Sequence, residues 1–155
     1  MKRFKTLMAA AAMIAMLGSA STADALTFTE RLALNQARVE QAGRDNGAAV
    51  SQSGAANGAA VSQNGASNGA RIVQSGVGNA GLIRQVGRNN NGAITQDGNA
   101  NAACIFQAGR NHDAAINQTG DGANVGLMQT ALGTYAVDAG ACAWFAEHNR
   151  HMLGR

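Results

Sequence analysis

The chain has 155 residues, of which 12 are basic, 9 acidic and 20 glycine, with no proline. Three of the basic residues and one acid fall in the first 25 positions, so the remainder carries nine arginines against eight acids and no lysine. So even a balance excludes a nucleic-acid surface, which needs a concentrated positive patch, whereas low net charge without proline suits stacked strands.

Residues 1–25 read as a secretory signal. Lys2, Arg3 and Lys5 form a basic start, residues 7–17 an apolar run too short to span a bilayer, and Ala23 and Ala25 a small-x-small cleavage site. The processed chain is therefore expected outside the cytoplasm. Residues 26–36 carry no repeat signature.

Residues 37–129 are a periodic array. Glutamine recurs at every eleventh position: Gln41, Gln52, Gln63, Gln74, Gln85, Gln96, Gln107, Gln118 and Gln129. Two positions later stands glycine, at Gly43, Gly54, Gly65, Gly76, Gly87, Gly98, Gly109 and Gly120, until Ala131 breaks the series. Five positions after the glutamine stands asparagine, at Asn46, Asn57, Asn68, Asn79, Asn90 and Asn101, after which His112 and Ala123 take the slot. Two positions before it stands an aliphatic residue: Val39, Val50, Val61, Ile72, Ile83, Ile94, Ile105, Ile116 and Leu127. Four before it the residue is small, as in Ala48, Ala59, Gly81 and Gly92.

A fixed period means one structural unit stacked on itself. Small residue, aliphatic and glutamine are spaced by two, which puts all three on one face of a strand of about five residues, such as 48–52. The glycine- and asparagine-rich remainder reads as turns, because both residues tolerate positive φ. An eleven-residue helical supercoil is rejected. Each unit contains glycine, at a cost of about 1 kcal/mol apiece in a helix, and the apolar spacing is two. The predicted fold is all-β: a β-solenoid of strand–turn–strand coils, two 11-residue units per 22-residue layer, with two stacked sheets. Nine units give a stack roughly 20 Å tall at ~4.8 Å per layer.

The units resemble the curlin repeat of curli amyloid subunits, whose pattern is Gln-x-Gly-x-x-Asn-x-Ala-x-x-x-Gln. The unit from Gln41 to Gln52 fits at every fixed position, as do those beginning at Gln52, Gln63 and Gln96. The resemblance implies an exported bacterial subunit that polymerises into adhesive cell-surface fibres of a biofilm matrix. Its partners would be further copies of itself, other curlin subunits and an outer-membrane secretion apparatus, for which residues 26–36 would be an address. In the family the glutamines and asparagines form core ladders, a role carried here by the nine glutamines and six asparagines above. A serine common near the start of the family's odd strands is mostly alanine here.

The array lacks end protection. No unit holds the lysine or proline with which soluble sheets blunt their edges, and solenoids that stay monomeric carry polar caps. End-to-end growth is the expected consequence. Asp97, Asp121 and the Arg88–Arg110 spacing of 22 either tune assembly through charge or decorate a solvated face.

Residues 130–155 hold Tyr135 and Trp144, the one tyrosine and the one tryptophan. A short helix is expected over 136–150, weakened by Gly140. The basic C-terminus resembles that of the family's nucleating subunit, which keeps open a surface-anchored nucleator alongside a main fibre subunit. Cys104, at an outward strand position, and Cys142 either pair within the molecule, pinning the tail to the solenoid, or remain free or intermolecular. His148 and His151 with a distant cysteine are a weak metal signal, read as exposed tail residues. No cofactor, small-molecule substrate or catalytic group is expected: no acidic pair is convincingly close and buried, and no serine sits in a nucleophile motif. A monomeric β-solenoid binding module would need a regular outward ladder. The outward residues Glu40, Ser51, Ser62, Val73, Arg84, Thr95, Phe106, Asn117 and Met128 supply none.

Overall fold

Alternation decides the local structure. Along Gly69–Val77 the side chains at Ala70, Ile72 and Gln74 are buried while Arg71, Val73 and Ser75 are less so, the period-two signature of a strand with one face in a core. The computed structural model describes residues 34–148, with side chains as far as Trp144. In chain order it contains β1 (Gln36–Arg44), β2 (Gly47–Ala55), β3 (Gly58–Ala66), β4 (Gly69–Val77) and β5 (Ala80–Arg88). There follow β6 (Asn91–Asp97), β7 (Ala102–Arg110), β8 (Asp113–Thr119), β9 (Asn124–Thr130), β10 (Gly133–Val137) and the helix α1 (Ala139–His148).

The strands sort into two sheets, β1-β3-β5-β7-β9-β10 and β2-β4-β6-β8. Within the repeat array every pairing is parallel with an offset of 22: Gln41 faces Gln63, Val61 faces Ile83, and Ile72 faces Ile94. Consecutive strands therefore alternate between sheets, and each pair completes one coil of a β-solenoid. Between the sheets, Val61, Ile72, Ile83, Ile94, Ile105 and Ile116 form the core with Ala59, Ala70, Ala103 and Ala114. From Ala37 to Ala114 the residue four before each glutamine is small because the sheets meet there, and the exception, Val125, lies exposed in the last coil. A Cβ added at Gly81 would lie 3.2 Å from both Ile72 Cγ2 and Gln74 Nε2.

Three expectations need correction. Strands run up to nine residues rather than five, because parallel pairing continues past the glutamine through the glycine: Gly43 pairs Gly65, and Arg44 pairs Ala66. Of the glycines assigned to turns, six lie inside strands, and Gly98 and Gly120 follow strand ends. The sharpest change of backbone direction falls four residues after the glutamine, where φ is positive at Asp45, Ala56, Ser67, Asn89, Ala100 and Asn111, and at Gly78 and Gly122.

The third correction concerns the tail. Residues 133–137 are not helical but form β10, antiparallel to β9 with Tyr135 opposite Met128. The helix begins at Ala139, where Asp138 Oδ1 accepts from the Ala141 N–H at 2.7 Å as an N-cap. Gly140 thus lies in the first turn. The glycine series ends at Ala131, and that is where the chain stops coiling and doubles back on itself.

Residues 1–33 and 149–155 lie outside the described residues, and with them the expected signal segment, most of the 26–36 segment and His151. No helix among the described residues is long and apolar enough to cross a membrane.

Candidate functional site: amide ladders and the ends of the stack

The nine glutamines point inward and form two columns. In one, Gln41 donates to Gln63 Oε1, Gln63 to Gln85, Gln85 to Gln107 and Gln107 to Gln129, at 2.6–2.8 Å. In the other, Gln52 donates to Gln74, Gln74 to Gln96 and Gln96 to Gln118, each at 2.8 Å. From Gln52 onward the second N–H of each amide crosses to the opposite sheet. Gln63 reaches Gly47 O at 3.0 Å, Gln74 reaches Gly58 O at 3.0 Å, and Gln85 reaches Gly69 O at 2.7 Å. One side chain thus ties adjacent coils and facing sheets at once, which neither a hydroxyl nor a shorter amide could span. Gln63, Gln74, Gln85, Gln96 and Gln107 are at most 1% exposed. Burial at that level is tolerable only because both N–H groups and the carbonyl are matched.

The asparagines sit at the corners. Asn46, Asn68 and Asn90 form one column, and Asn57, Asn79 and Asn101 another. Where an asparagine follows one coil on, Oδ1 accepts from its backbone N–H, as Asn57 does from Asn79 at 3.0 Å, and Asn57 also accepts from the Asn79 Nδ2 at 3.1 Å. Nδ2 also donates to a glycine carbonyl of the next coil: Asn57 to Gly76 at 2.9 Å, Asn79 to Gly98 at 2.8 Å, and Asn101 to Gly120 at 2.7 Å. The asparagine is therefore a corner brace, holding the turn in the shape that its neighbours share.

The two kinds of ladder have opposite polarity. Glutamine-to-glutamine bonds donate toward the C-terminal end of the stack, while asparagine-to-asparagine bonds donate back toward the N-terminal end. The stack thus has two chemically different ends. The asparagine columns stop at Asn90 and Asn101, whose Oδ1 atoms accept only the backbone N–H of His112 and Ala123. The glutamine columns run on to Gln118 and Gln129.

Why the glycines are glycine is clearest at Gly87. Its φ is +124°, and an added Cβ would fall 1.8 Å from the carbonyl oxygen of Gly109. The parallel backbones approach so closely here that no side chain fits.

Burial fades toward both ends. Val39 and Gln41 in β1, and Val50 and Gln52 in β2, are only half-buried, whereas Val61 and Gln63 in β3 are fully enclosed. Among the described residues, β1 and β2 each have a sheet neighbour on one side alone, and so does β8; β9 is covered by β10. No described residue donates to the Oε1 of Gln41 or Gln52. The molecule therefore presents unpaired strand edges in line with unextended ladders.

Two features escape the periodic reading. Asn35 lies eleven before Asn46, and its Oδ1 accepts from Asn57 N and Nδ2 at 3.0 and 3.1 Å. That spacing was the signal that the array begins earlier than residue 37. The outward residues Leu82, Cys104, Phe106 and Met128 fall in one area of the odd-numbered sheet, and α1 packs over them with Ala139, Cys142 and Val137. A run of apolar residues at nominally outward positions was the signal for a covering element. Cys104 and Cys142 form a disulfide, Cα–Cα 5.9 Å, and neither is exposed. Among the described residues no group of three or more His, Cys, Asp or Glu side chains could hold a metal ion.

The curlin associated repeat matches residues 43–76, 65–98 and 87–120, three overlapping spans each offset by the 22-residue coil. No curated protein matches the chain. Together the three spans cover half of the sequence and coincide with the buried centre of the stack, and the chain belongs to the curlin associated repeat family.

Proposed function

We propose that this protein is the structural subunit of an extracellular curli-like amyloid fibre, adding end to end for cell adhesion and biofilm matrix. Family and fold are structural rather than enzymatic, and the family is one of self-assembling fibres. The observation that carries the reading is the state of the ends. Unpaired edges on β1, β2 and β8 stand in line with glutamine columns that offer acceptors at one end and donors at the other. A second molecule laid end-on pairs the edges and continues the columns, whereas two like ends brought together would set acceptor against acceptor. Burying an unmatched amide costs about 1–3 kcal/mol, so the correct polarity is selected without covalent chemistry.

The route outward belongs to the same proposal. Residues 1–25 are a signal removed on export, residues 26–36 the address for an outer-membrane secretion apparatus, and other curlin subunits co-polymerise. The reading needs no enzyme activity or cofactor.

The test is incubation of the purified processed chain, residues 26–155, followed by thioflavin fluorescence and electron microscopy. Unbranched fibres that seed fresh monomer are the expected result. A chain that stays monomeric and ignores seeds contradicts the proposal and favours the monomeric binding module.

A further inference from the structure

The repeat array has an odd number of strands, and this fixes how two molecules can join. Successive strands alternate between sheets, so the strand after β9 belongs on β8. For a second copy to continue the coil, its β1 must lie on β8 and its β2 on β9. The register follows from the eleven-residue period: Ala114, Ile116 and Gln118 would face Ala37, Val39 and Gln41 of the second copy. Gln118 gives one N–H to Ala102 O at 3.0 Å. Its other N–H has no glutamine beyond it, and Gln41 Oε1 has no donor among the described residues.

The β9 position, however, is taken. β10 pairs along it in the antiparallel sense, from Gly133 opposite Thr130 to Val137 opposite Gly126. Three bonds hold this strand and the helix after it in place. Asn124 Oδ1 accepts from Ala139 N at 2.6 Å, Asp138 caps the helix, and the Cys104–Cys142 disulfide fastens α1 to the outer face of the odd-numbered sheet. The end of the stack is thereby half closed: β8 is open and β9 is shut.

We propose that β8 is the docking edge for β1 of a second copy, that successive copies are turned by half a revolution, and that β10 with α1 is a displaceable clip occupying the place of the incoming β2. This rests on the end-to-end assembly above and adds a gate to it. The disulfide keeps the displaced clip near its seat. Re-closing is therefore intramolecular and competes with the incoming strand at high effective concentration.

The test uses the full processed chain with Cys104→Ser and Cys142→Ser, into which Met128→Cys and Tyr135→Cys are added. These two face each other across β9 and β10, so the oxidised chain has its clip welded shut and the reduced chain does not. Fibres of the unsubstituted chain serve as seeds. The reduced form should extend them at least about tenfold faster than the oxidised form. Equal rates in both forms overturn the clip while leaving end-to-end assembly standing. A failure of every chain to form or extend fibres overturns both. The half-turn is read separately in the cysteine-free background: co-assembled Glu40→Cys and Asn117→Cys chains should cross-link to each other in fibres, and absence of that product overturns the β1-on-β8 joint.

Discussion

Gln85 donates through Nε2 to Oε1 of Gln107, 2.8 Å away and one coil further along the stack. The same Gln85 accepts from Gln63 and reaches Gly69 O across the core, so one side chain carries three bonds in a fully buried site. Replacing it by alanine takes the acceptor from Gln63 Nε2 and the donor from Gln107 Oε1, and removes the bond to Gly69 O.

The first prediction concerns that loss. Gln85→Ala should destabilise the monomer by about 1–3 kcal/mol for each buried group left unmatched, and half-buried Gln52→Ala should cost less, as read by urea unfolding. Gln74→Ala with Gln85→Ala should lengthen the assembly lag measured by thioflavin fluorescence. An unchanged lag would remove the ladders from the mechanism.

Two glycines separate close approach from conformational strain. At Gly120 φ is +92° and nothing lies within 4 Å of an added Cβ, whereas at Gly87 the Gly109 carbonyl blocks it at 1.8 Å. Gly120→Ala should cost about 1–2 kcal/mol, the left-handed penalty alone. Gly87→Ala should exceed about 4 kcal/mol, since two backbones must separate. Equal unfolding midpoints for the two variants would contradict this packing.

Ala56 and Ala100 have φ of 55° and 54°, a conformation that alanine adopts at a cost. Their places correspond to Gly78 and Gly122 in other units. Ala56→Gly and Ala100→Gly should each stabilise the chain by about 0.5–1 kcal/mol, after the greater freedom of glycine in the unfolded state is set against the relieved strain. A lowered urea midpoint would show that the strain is absent.

The Cys104–Cys142 disulfide closes a loop with a sequence separation of 38, worth about 4 kcal/mol on the loop-entropy estimate. Cys104→Ser with Cys142→Ser should speed amide hydrogen exchange in β10 and α1, while the amides of Ile83 and Ile94 stay protected. Uniform acceleration along the chain would mean that the disulfide holds the solenoid itself and not the tail.

The coil was legible in the sequence because each core position recurs without insertion from Val39 to Leu127. A period of eleven with inward spacing of two leaves little freedom in register. The corners were less legible. The left-handed residue is alanine at 56 and 100, serine at 67 and aspartate at 45, so composition does not mark it, and its position is imposed by the asparagine brace that follows. In the tail, residues 136–150 carry a helical signal that holds from Ala139 onward. What periodicity could not show is that the edge of β9 recruits residues 133–137 as a strand, a demand set by the partner and not by local propensity. The helix site could have been found from Leu82, Phe106 and Met128, which are too apolar together for an open face.

The most direct measurement of end-to-end continuation is X-ray diffraction from aligned fibres of the processed chain, residues 26–155. Coils that continue from molecule to molecule predict a sharp meridional reflection at ~4.7–4.8 Å, the spacing of strands within each sheet. Fibres without that reflection, or a solution that remains monodisperse however long it is seeded, would contradict the account.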